Sequence, residues 1–332
     1  MATMVDVARR AGVSVATVSH VLNETRPVRP ATRDAVRAAI DELGYTHNTL
    51  ARSLVTSRTH SIGLAVSAIS NPYFTEILQG VESSALERGY SLLIADPHDD
   101  PEHELKAVRL LHERRVDGVI VAPSARPDAL LGHLGRYGIP AVFLDRLVDA
   151  GHDQVCAENE EPVARLVGHL AESGHTRIGL VAGLPGLSTT TERVAGYRAG
   201  LARAALPYDP GLIVGGNSHA EGAEAATHRL LGLPEPPTAL VTGNNTMTIG
   251  ALGALRAAGL AVPGDIALAG FDDFSWADLF EPRLTAIAQP GRDIGATALR
   301  LLLDRLAEPD RAPRTVRLPC TFVHRSSCGC GN

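Results

Sequence analysis

The segment from Asp6 to Asn23, DVARRAGVSVATVSHVLN, constrains this chain more than any other stretch. It predicts two short helices joined by a tight turn. Gly12 supplies the left-handed backbone that a sharp interhelical turn requires, and Ser14 is a good N-cap for a helix over Val15–Asn23. Ala8 is small enough for the helices to cross closely, and Val18 is placed to fill the space beneath them. Val15, Ala16, Ser19, His20 and Asn23 then remain on the outer face. A helix-turn-helix of this kind lays its second helix in a DNA major groove. The plainer reading of the same residues is a pair of ordinary core helices.

A third helix is expected next. Pro30 suits its first turn, Val36, Ile40 and Leu43 form an apolar stripe at i, i+4 and i+7, and Gly44 ends it. Residues 1–60 hold eight arginines and five carboxylates, a net +3, although the whole chain is at −6. A basic head on an acidic body suits a protein that touches phosphate at one end only. The 332 residues suggest two or three domains. No apolar run reaches membrane-spanning length. Asp6, Arg9 and Arg10 interrupt any N-terminal secretion signal, so a cytoplasmic location is expected.

From Ser61 the pattern alternates short apolar strands with amphipathic helices. Strands are expected at Ile62–Val66, Ser91–Ala95, Val116–Val121, Ala141–Leu144, Arg177–Val181, Ala239–Val241 and Ile266–Gly270. Helices are expected at Thr75–Glu87, Glu102–Glu113, Val163–Glu172, Glu192–Ala204, Gly222–Leu231, Met247–Ala258 and Ile294–Ala307. This rhythm predicts α/β architecture with parallel sheets covered by helices. Two such halves would leave a ligand cleft at the strand C-terminal ends.

The ordered series DVARRAGVSVATVSHVLN, Thr32-Arg33, Leu43-Gly44-Tyr45 and NTLARSL at 48–54 resembles the LacI/GalR family of bacterial transcription regulators. The resemblance runs from Thr3 to about Arg325. It implies an all-α helix-turn-helix DNA-binding domain at 1–46, a hinge helix or linker at 47–60, and a periplasmic-binding-protein-like core. The core would comprise an N-lobe of 61–158 plus 289–325 and a C-lobe of 159–288, followed by a tail at 326–332, with crossings near 159, 288 and 320. The implied function is a ligand-responsive repressor that binds a palindromic operator as a homodimer, with a sugar or sugar derivative as effector.

On DNA, Val15, Ala16 and His20 would face base edges, the first two offering only apolar contact and His20 a donor to a purine N7. Ser14, Thr17 and Asn23 suit phosphates, and Thr3 and Ser19 belong to the same DNA-facing set. Asn48, Arg52 and Leu54 fall in the hinge, where Leu54 matches a wedge between base pairs in the minor groove. His47 stands where many members have Pro, and His20 where many have Arg.

Four motifs mark the cleft by the same resemblance: Asn71-Pro72-Tyr73-Phe74, Phe143-Leu144-Asp145-Arg146, Ser188 to Arg193, and Gly270 to Trp276. The expected effector contacts are Tyr73, Phe74, Asp145, Arg146, Thr189, Arg193, Asn245, Asp272 and Trp276. Their chemistry suits a polyol. Arg193 can donate to adjacent hydroxyls, Asp145 and Asp272 can accept from them, and Tyr73, Phe74 and Trp276 can cover the apolar side of a sugar ring. Core packing is the competing reading for the aromatics, and an interlobe ion pair for Arg193 and Asp272. Leu187 and Ser218 stand where purine-responsive members engage their base, which disfavours a purine. Asn244-Asn245 replaces the commoner Asn-Asp, and Glu158 replaces the usual Asp before Asn159.

Two other classes compete. A transport-type solute-binding protein shares the core but leaves the head domain unexplained. An enzyme is not expected, because Gly183-Leu184-Pro185-Gly186 lacks the ending of a P-loop and no nucleophile elbow is evident. No cofactor is expected. The four cysteines, Cys156, Cys320, Cys328 and Cys330, offer no zinc-like spacing, so no metal site is expected. Cys328 and Cys330 read as a stray dithiol in a polar tail. Without a C-terminal leucine heptad, a dimer is expected rather than a tetramer.

Overall fold

The structure, a computed structural model, describes residues 2–23, 26–45, 59–67, 71–149 and 151–330. Contacts divide the chain into two units, Met1–Thr59 and His60–Asn332.

The described residues of the first unit form a three-helix bundle of α1 (Met4–Ala11), α2 (Val15–Asn23) and α3 (Pro30–Leu43). Thr3 and Asp6 form a reciprocal capping box at the start of α1. Gly12 ends α1 in the left-handed region at φ 65°. The Ser14 hydroxyl accepts from the Thr17 backbone N–H at 3.1 Å and so caps α2. Val7, Ala8, Val18, Val36 and Ala39 make the small core.

The second unit carries two six-stranded sheets. The first is ordered β11-β5-β4-β3-β1-β2 and is parallel throughout. It comprises β1 (Ser61–Ala65), β2 (Ser91–Ala95), β3 (Gly118–Val121), β4 (Ala141–Leu144), β5 (Asp153–Ala157) and β11 (Thr315–Leu318). Its helices are α4 (Pro72–Glu87), α5 (Pro101–Glu113), α6 (Asp128–Tyr137) and α11 (Gly291–Ala307). The second sheet is ordered β12-β10-β9-β8-β6-β7, with only β12 antiparallel. It comprises β6 (Ile178–Ala182), β7 (Ile213–Gly215), β8 (Ala239–Thr242), β9 (Ala267–Phe271), β10 (Thr285–Ala288) and β12 (Thr321–Val323). Its helices are α7 (Glu160–Glu172), α8 (Ser188–Arg203), α9 (Ala220–Leu231) and α10 (Asn245–Ala257). The two orders match position for position, so β4 in the first lobe corresponds to β9 in the second.

Three helix pairs pack with backbone almost in contact, and each does so over a glycine. A Cβ on Gly80 of α4 would lie 2.1 Å from the Arg292 carbonyl oxygen of α11. One on Gly196 of α8 would lie 2.2 Å from that of Glu160, and one on Gly250 of α10 would lie 2.1 Å from that of Ala220. Any side chain at these positions forces the helices apart.

Several elements differ from expectation. The strand Asp153–Ala157 is not among the expected strands, and it begins with two polar residues. Asp153 is nevertheless fully buried, held by Arg305 and Arg311 at 2.9 Å each. The charged start of β5 is therefore a packed ionic joint between the strand and the end of α11. Helix α4 begins at Pro72, three residues earlier than expected, because the Asn71 side chain caps it by accepting from the Tyr73 N–H. The expected N-lobe segment 289–325 divides. Its last strand, β12, pairs Val323 with Ala286 of β10 in the second sheet.

Residues 326–330 are not a loose tail. Ser327 Oγ donates to the Leu268 carbonyl at 2.6 Å and accepts from the Thr285 N–H at 2.8 Å, and Cys328 is fully buried. Arg325 holds both carboxylate oxygens of Asp273 at 2.8 and 2.9 Å. The polar composition of this segment concealed the docking, since its bonds are made to residues about forty to sixty positions away.

Gly295→Ala should destabilise the core by about 1–3 kcal/mol, because its Cβ would lie 2.2 Å from the Ile77 carbonyl oxygen. Gly132→Ala in α6, with nothing within 4 Å of the added carbon, should instead stabilise by about 0.5–1 kcal/mol. Urea unfolding midpoints for the two variants should shift in opposite directions.

Candidate functional site

The C-terminal ends of the two sheets face each other across a cavity of about 310 Å³. Asp145 follows β4 immediately and Asp272 follows β9 immediately, so the two carboxylates occupy corresponding positions in the two lobes. Both residues are in the left-handed region, at φ 64° and 70°. That backbone is costly for a residue with a Cβ and recurs at functional sites. Both are also buried, at 6% and 4% exposure, so each charge depends on local donors.

Those donors differ between the lobes. Asp145 accepts from the Tyr73 hydroxyl at 2.8 Å and lies 3.5 Å from the Arg146 Nε. Arg146 also pairs with Asp99 and donates to the Pro123 carbonyl at 3.1 Å. Burial pulls Arg146 toward its neutral form, but Asp99 and Asp145 outweigh that pull and hold it charged. Its buried Nε has no hydrogen-bond partner among the described residues. Asp272 accepts from the Gln289 amide at 2.5 Å. Burial nonetheless pushes its carboxyl up to about 6, against the opposing pull of Arg193. The Tyr73 hydroxyl is raised well above its usual range by burial and by the two aspartates, so it remains a donor.

Arg193, on α8, stacks its guanidinium 3.8 Å from the Phe271 ring centroid. Its Nε donates to Asn159 at 2.8 Å and its Nη1 to the Gly243 carbonyl at 2.6 Å. Two of the five guanidinium N–H groups are thus engaged in holding it in place, and the others can serve a ligand. Arg193 and Asp272 lie on the same lobe and make no ion pair with each other; an interlobe ion pair is instead made by Arg317 on β11 with Glu192 on α8, at 2.6 Å. The lobes also meet through Asn245, whose amide donates to the Asn71 side chain at 2.9 Å, and through Ser188, which accepts from the Leu147 N–H at 2.9 Å.

Seven of the nine residues expected at the cleft line the cavity: Tyr73, Phe74, Asp145, Arg146, Thr189, Arg193 and Asp272. Two do not. Asn245 is buried against Asn71 and does not line it. Trp276 is 45% exposed and packs on Phe274, with ring centroids 5.1 Å apart. Trp276 lies five residues beyond the end of β9, immediately before the helical turn Ala277–Leu279. Sequence reasoning missed Asp99, Thr246 and His219, which line the cavity, and noted Asn244, which also lines it, only as part of the Asn244-Asn245 departure and not as a contact. Asp99 sits in an acidic stretch beyond β2, the one available signal for it, while its pairing with Arg146 depends on the fold.

In the first unit, Thr3, Ser14, Val15 and Ala16 are exposed, whereas Thr17, Ser19 and His20 are half-buried. Val15, 41% exposed, and Ala16 open the outward face of α2. Thr3 and Ser14 also serve as caps, so their hydroxyls are already oriented at helix N-termini, where backbone N–H groups favour anions. The side chain of Asn23, together with Asn48, Arg52 and Leu54, lies outside the described residues.

Comparison with known proteins bears on both units. Residues 3–48 match the model for bacterial regulatory proteins of the lacI family, and residues 167–328 match the periplasmic binding protein-like domain. The chain is 36% identical to the HTH-type transcriptional repressor PurR of Vibrio atlanticus (strain LGP32) over 329 residues, which is 98% of both chains. Among solved structures, the Lac repressor dimer bound to operator and the anti-inducer ONPF superposes with a TM-score of 0.88 at 30% identity. That match covers 98% of this chain and 99% of the other. The complex of the transcriptional regulator CelR with cellobiose superposes at 0.76 and 32%, covering 98% and 100%. The chain belongs to the lacI family of bacterial regulatory proteins and is a ligand-responsive, DNA-binding transcriptional repressor, with a helix-turn-helix reader at its N-terminus and a two-lobed periplasmic-binding-protein-like core.

Proposed function

We propose that this repressor binds a palindromic operator as a homodimer and senses a sugar or sugar derivative between its lobes. The observation that carries the effector reading is the pair Asp145 and Asp272, buried at matching strand ends with Arg193 and Tyr73 between them. Two acceptors and several fixed donors around a cavity of about 310 Å³ suit the alternating donors and acceptors of adjacent hydroxyls. Phe74 and the backbone at Gly183 and Gly243 supply the less polar wall. The cellobiose bound by CelR supports the same ligand class. Leu187, at 3% exposure, adds an apolar surface without amide or carboxylate groups for a purine edge.

On DNA, α2 enters the major groove with Val15, Ala16 and His20 toward base edges, while Thr3, Ser14, Thr17, Ser19 and Asn23 hold phosphates. Asn48, Arg52 and Leu54 act at the minor groove, with Leu54 as the wedge. The dimeric operator complex of the Lac repressor supports this assignment. Ligand binding changes the lobe angle, and its differential affinity for the two arrangements sets the change in operator affinity. The protein acts in the cytoplasm and releases its ligand unchanged, so incubation with candidate sugars should yield no product.

Arg193→Ala should abolish the ligand response while leaving operator affinity unchanged in a mobility-shift assay run with and without sugar. An undiminished response would move the effector site elsewhere. Selection from random DNA should return a palindrome, and His20→Ala should cost about 1–3 kcal/mol at one base pair per half-site. An asymmetric site would refute the dimeric reading.

The carboxyl of Asp272 generates a pH signature. Its folded value, about 6, lies above the ordinary 3.8, so the folded chain holds this proton more tightly than the unfolded chain. Its contribution to stability therefore falls as pH rises from 4 to 6 and levels off above 6, at a cost of about 3 kcal/mol. A polyol donates to the ionised carboxylate, so its affinity should rise with pH up to about 6 and fall below that, by up to about tenfold per unit. Titration calorimetry across this range should show the slope in the wild type and its loss in Asp272→Asn.

A further inference from the structure

The C-terminal segment, expected to be a stray dithiol, brings together four side chains with the chemistry of a metal centre. His169 projects from α7, His324 follows β12, and Cys328 and Cys330 flank Gly329. One nitrogen or sulfur atom from each lies within 4.8 Å of all the others. Cys328 Sγ and Cys330 Sγ are 3.1 Å apart, and His324 Nε2 is 2.7 Å from Cys330 Sγ. Gly329 takes φ 75°, the left-handed turn that folds Cys330 back beside Cys328. The two imidazoles meet edge to face, with ring centroids 5.2 Å apart, and Phe322 packs against both.

A second observation singles out a ligand. His169 Nε2 is buried and has no hydrogen-bond partner among the described residues, an arrangement that needs an explanation. A cation supplies one, since a neutral imidazole nitrogen is a metal donor. Tetrahedral zinc with bonds of about 2.3 Å to sulfur and 2.0–2.1 Å to nitrogen places its ligand atoms roughly 3.3–3.8 Å apart. The cluster brackets that spacing, and rotation of the half-exposed Cys330 and exposed His324 suffices to reach it. The surrounding framework is fixed, because Ser327 and Arg325 anchor the segment to β9, β10 and the loop beyond β9.

We propose that His169, His324, Cys328 and Cys330 form a four-coordinate site for Zn²⁺ that ties the C-terminus of the chain to α7 of the second lobe. Two thiolates and two neutral imidazoles suit a borderline-soft divalent ion. Loading releases the two thiol protons to solvent, leaving a bound centre of net zero charge. The site closes the edge of the second lobe, and none of its four residues lines the interlobe cavity. Its expected role is structural.

The test uses the full-length chain, reduced and freed of metal with a chelator, then titrated with Zn²⁺ or Co²⁺ alone. One metal ion per chain should bind. Co²⁺ should give tetrahedral ligand-field absorption with thiolate charge-transfer bands, and Zn²⁺ should raise the melting temperature. Cys330→Ser and His324→Ala alter side chains that are not fully buried and should weaken metal binding by about a hundredfold or more. Both should retain operator affinity, which verifies their fold, and Cys320→Ser should bind as the wild type does. Absence of thiolate–cobalt bands with both thiols free would overturn the proposal. So would a Cys328–Cys330 disulfide persisting in reducing buffer, or wild-type metal affinity in both ligand variants.

Discussion

Two carboxylates kept from water on opposite sides of one cavity set the terms for the rest of the core. A buried aspartate requires donors, and each lobe supplies its own. Tyr73 donates to Asp145, with the Arg146 charge 3.5 Å away, while Gln289 donates to Asp272 with Arg193 nearby. Each donor is held in turn by groups from other elements. Asp99 fixes Arg146, and Asn159 with the Gly243 carbonyl fixes Arg193. The cavity wall is thus a polar network anchored in both sheets, and a ligand that alters its hydrogen bonding acts on both lobes at once. The network is only partly satisfied: burial pushes the Asp272 carboxyl up to about 6, and Arg146 Nε has no partner among the described residues.

The architecture that presents these groups is a duplicated sheet with matched strand order. Matching places Asp145 and Asp272 at equivalent corners, and the glycines at 80, 196 and 250 let helix pairs pack backbone to backbone behind them. The lobes are joined where the chain passes between them and by side-chain contacts such as Asn71–Asn245. That contact is a single hydrogen bond worth about 1 kcal/mol, while Arg317 of β11 grips both carboxylate oxygens of Glu192 of α8 at 2.6 and 3.2 Å, a paired contact that also ties the lobes.

Much of the cavity was legible because strand ends announce themselves. Runs such as Phe143-Leu144-Asp145-Arg146 and Gly270-Phe271-Asp272 combine an apolar strand with abrupt polarity, and a parallel sheet places that junction at the ligand face. The same logic failed at Trp276, which lies five residues beyond the strand end and packs on Phe274 instead of lining the cavity. It failed at Asn245 for a different reason: an amide near a cleft can equally well bridge the lobes behind the ligand. Asp99 was missed since its partner, Arg146, is 47 residues away.

The sequence by itself determined the helix-turn-helix, the alternation of strands and helices, and the family, because those depend on local caps, turns and periodicity within a few residues. Tertiary structure decided which polar groups share a cavity, that Asp153 is a buried ionic joint, and that the C-terminal cysteines meet His169 and His324. Each of those outcomes rests on contacts between distant segments. Burial converts residues that look like solvated surface into paired charges or potential metal ligands, and burial is a property of the assembled sheets and helices.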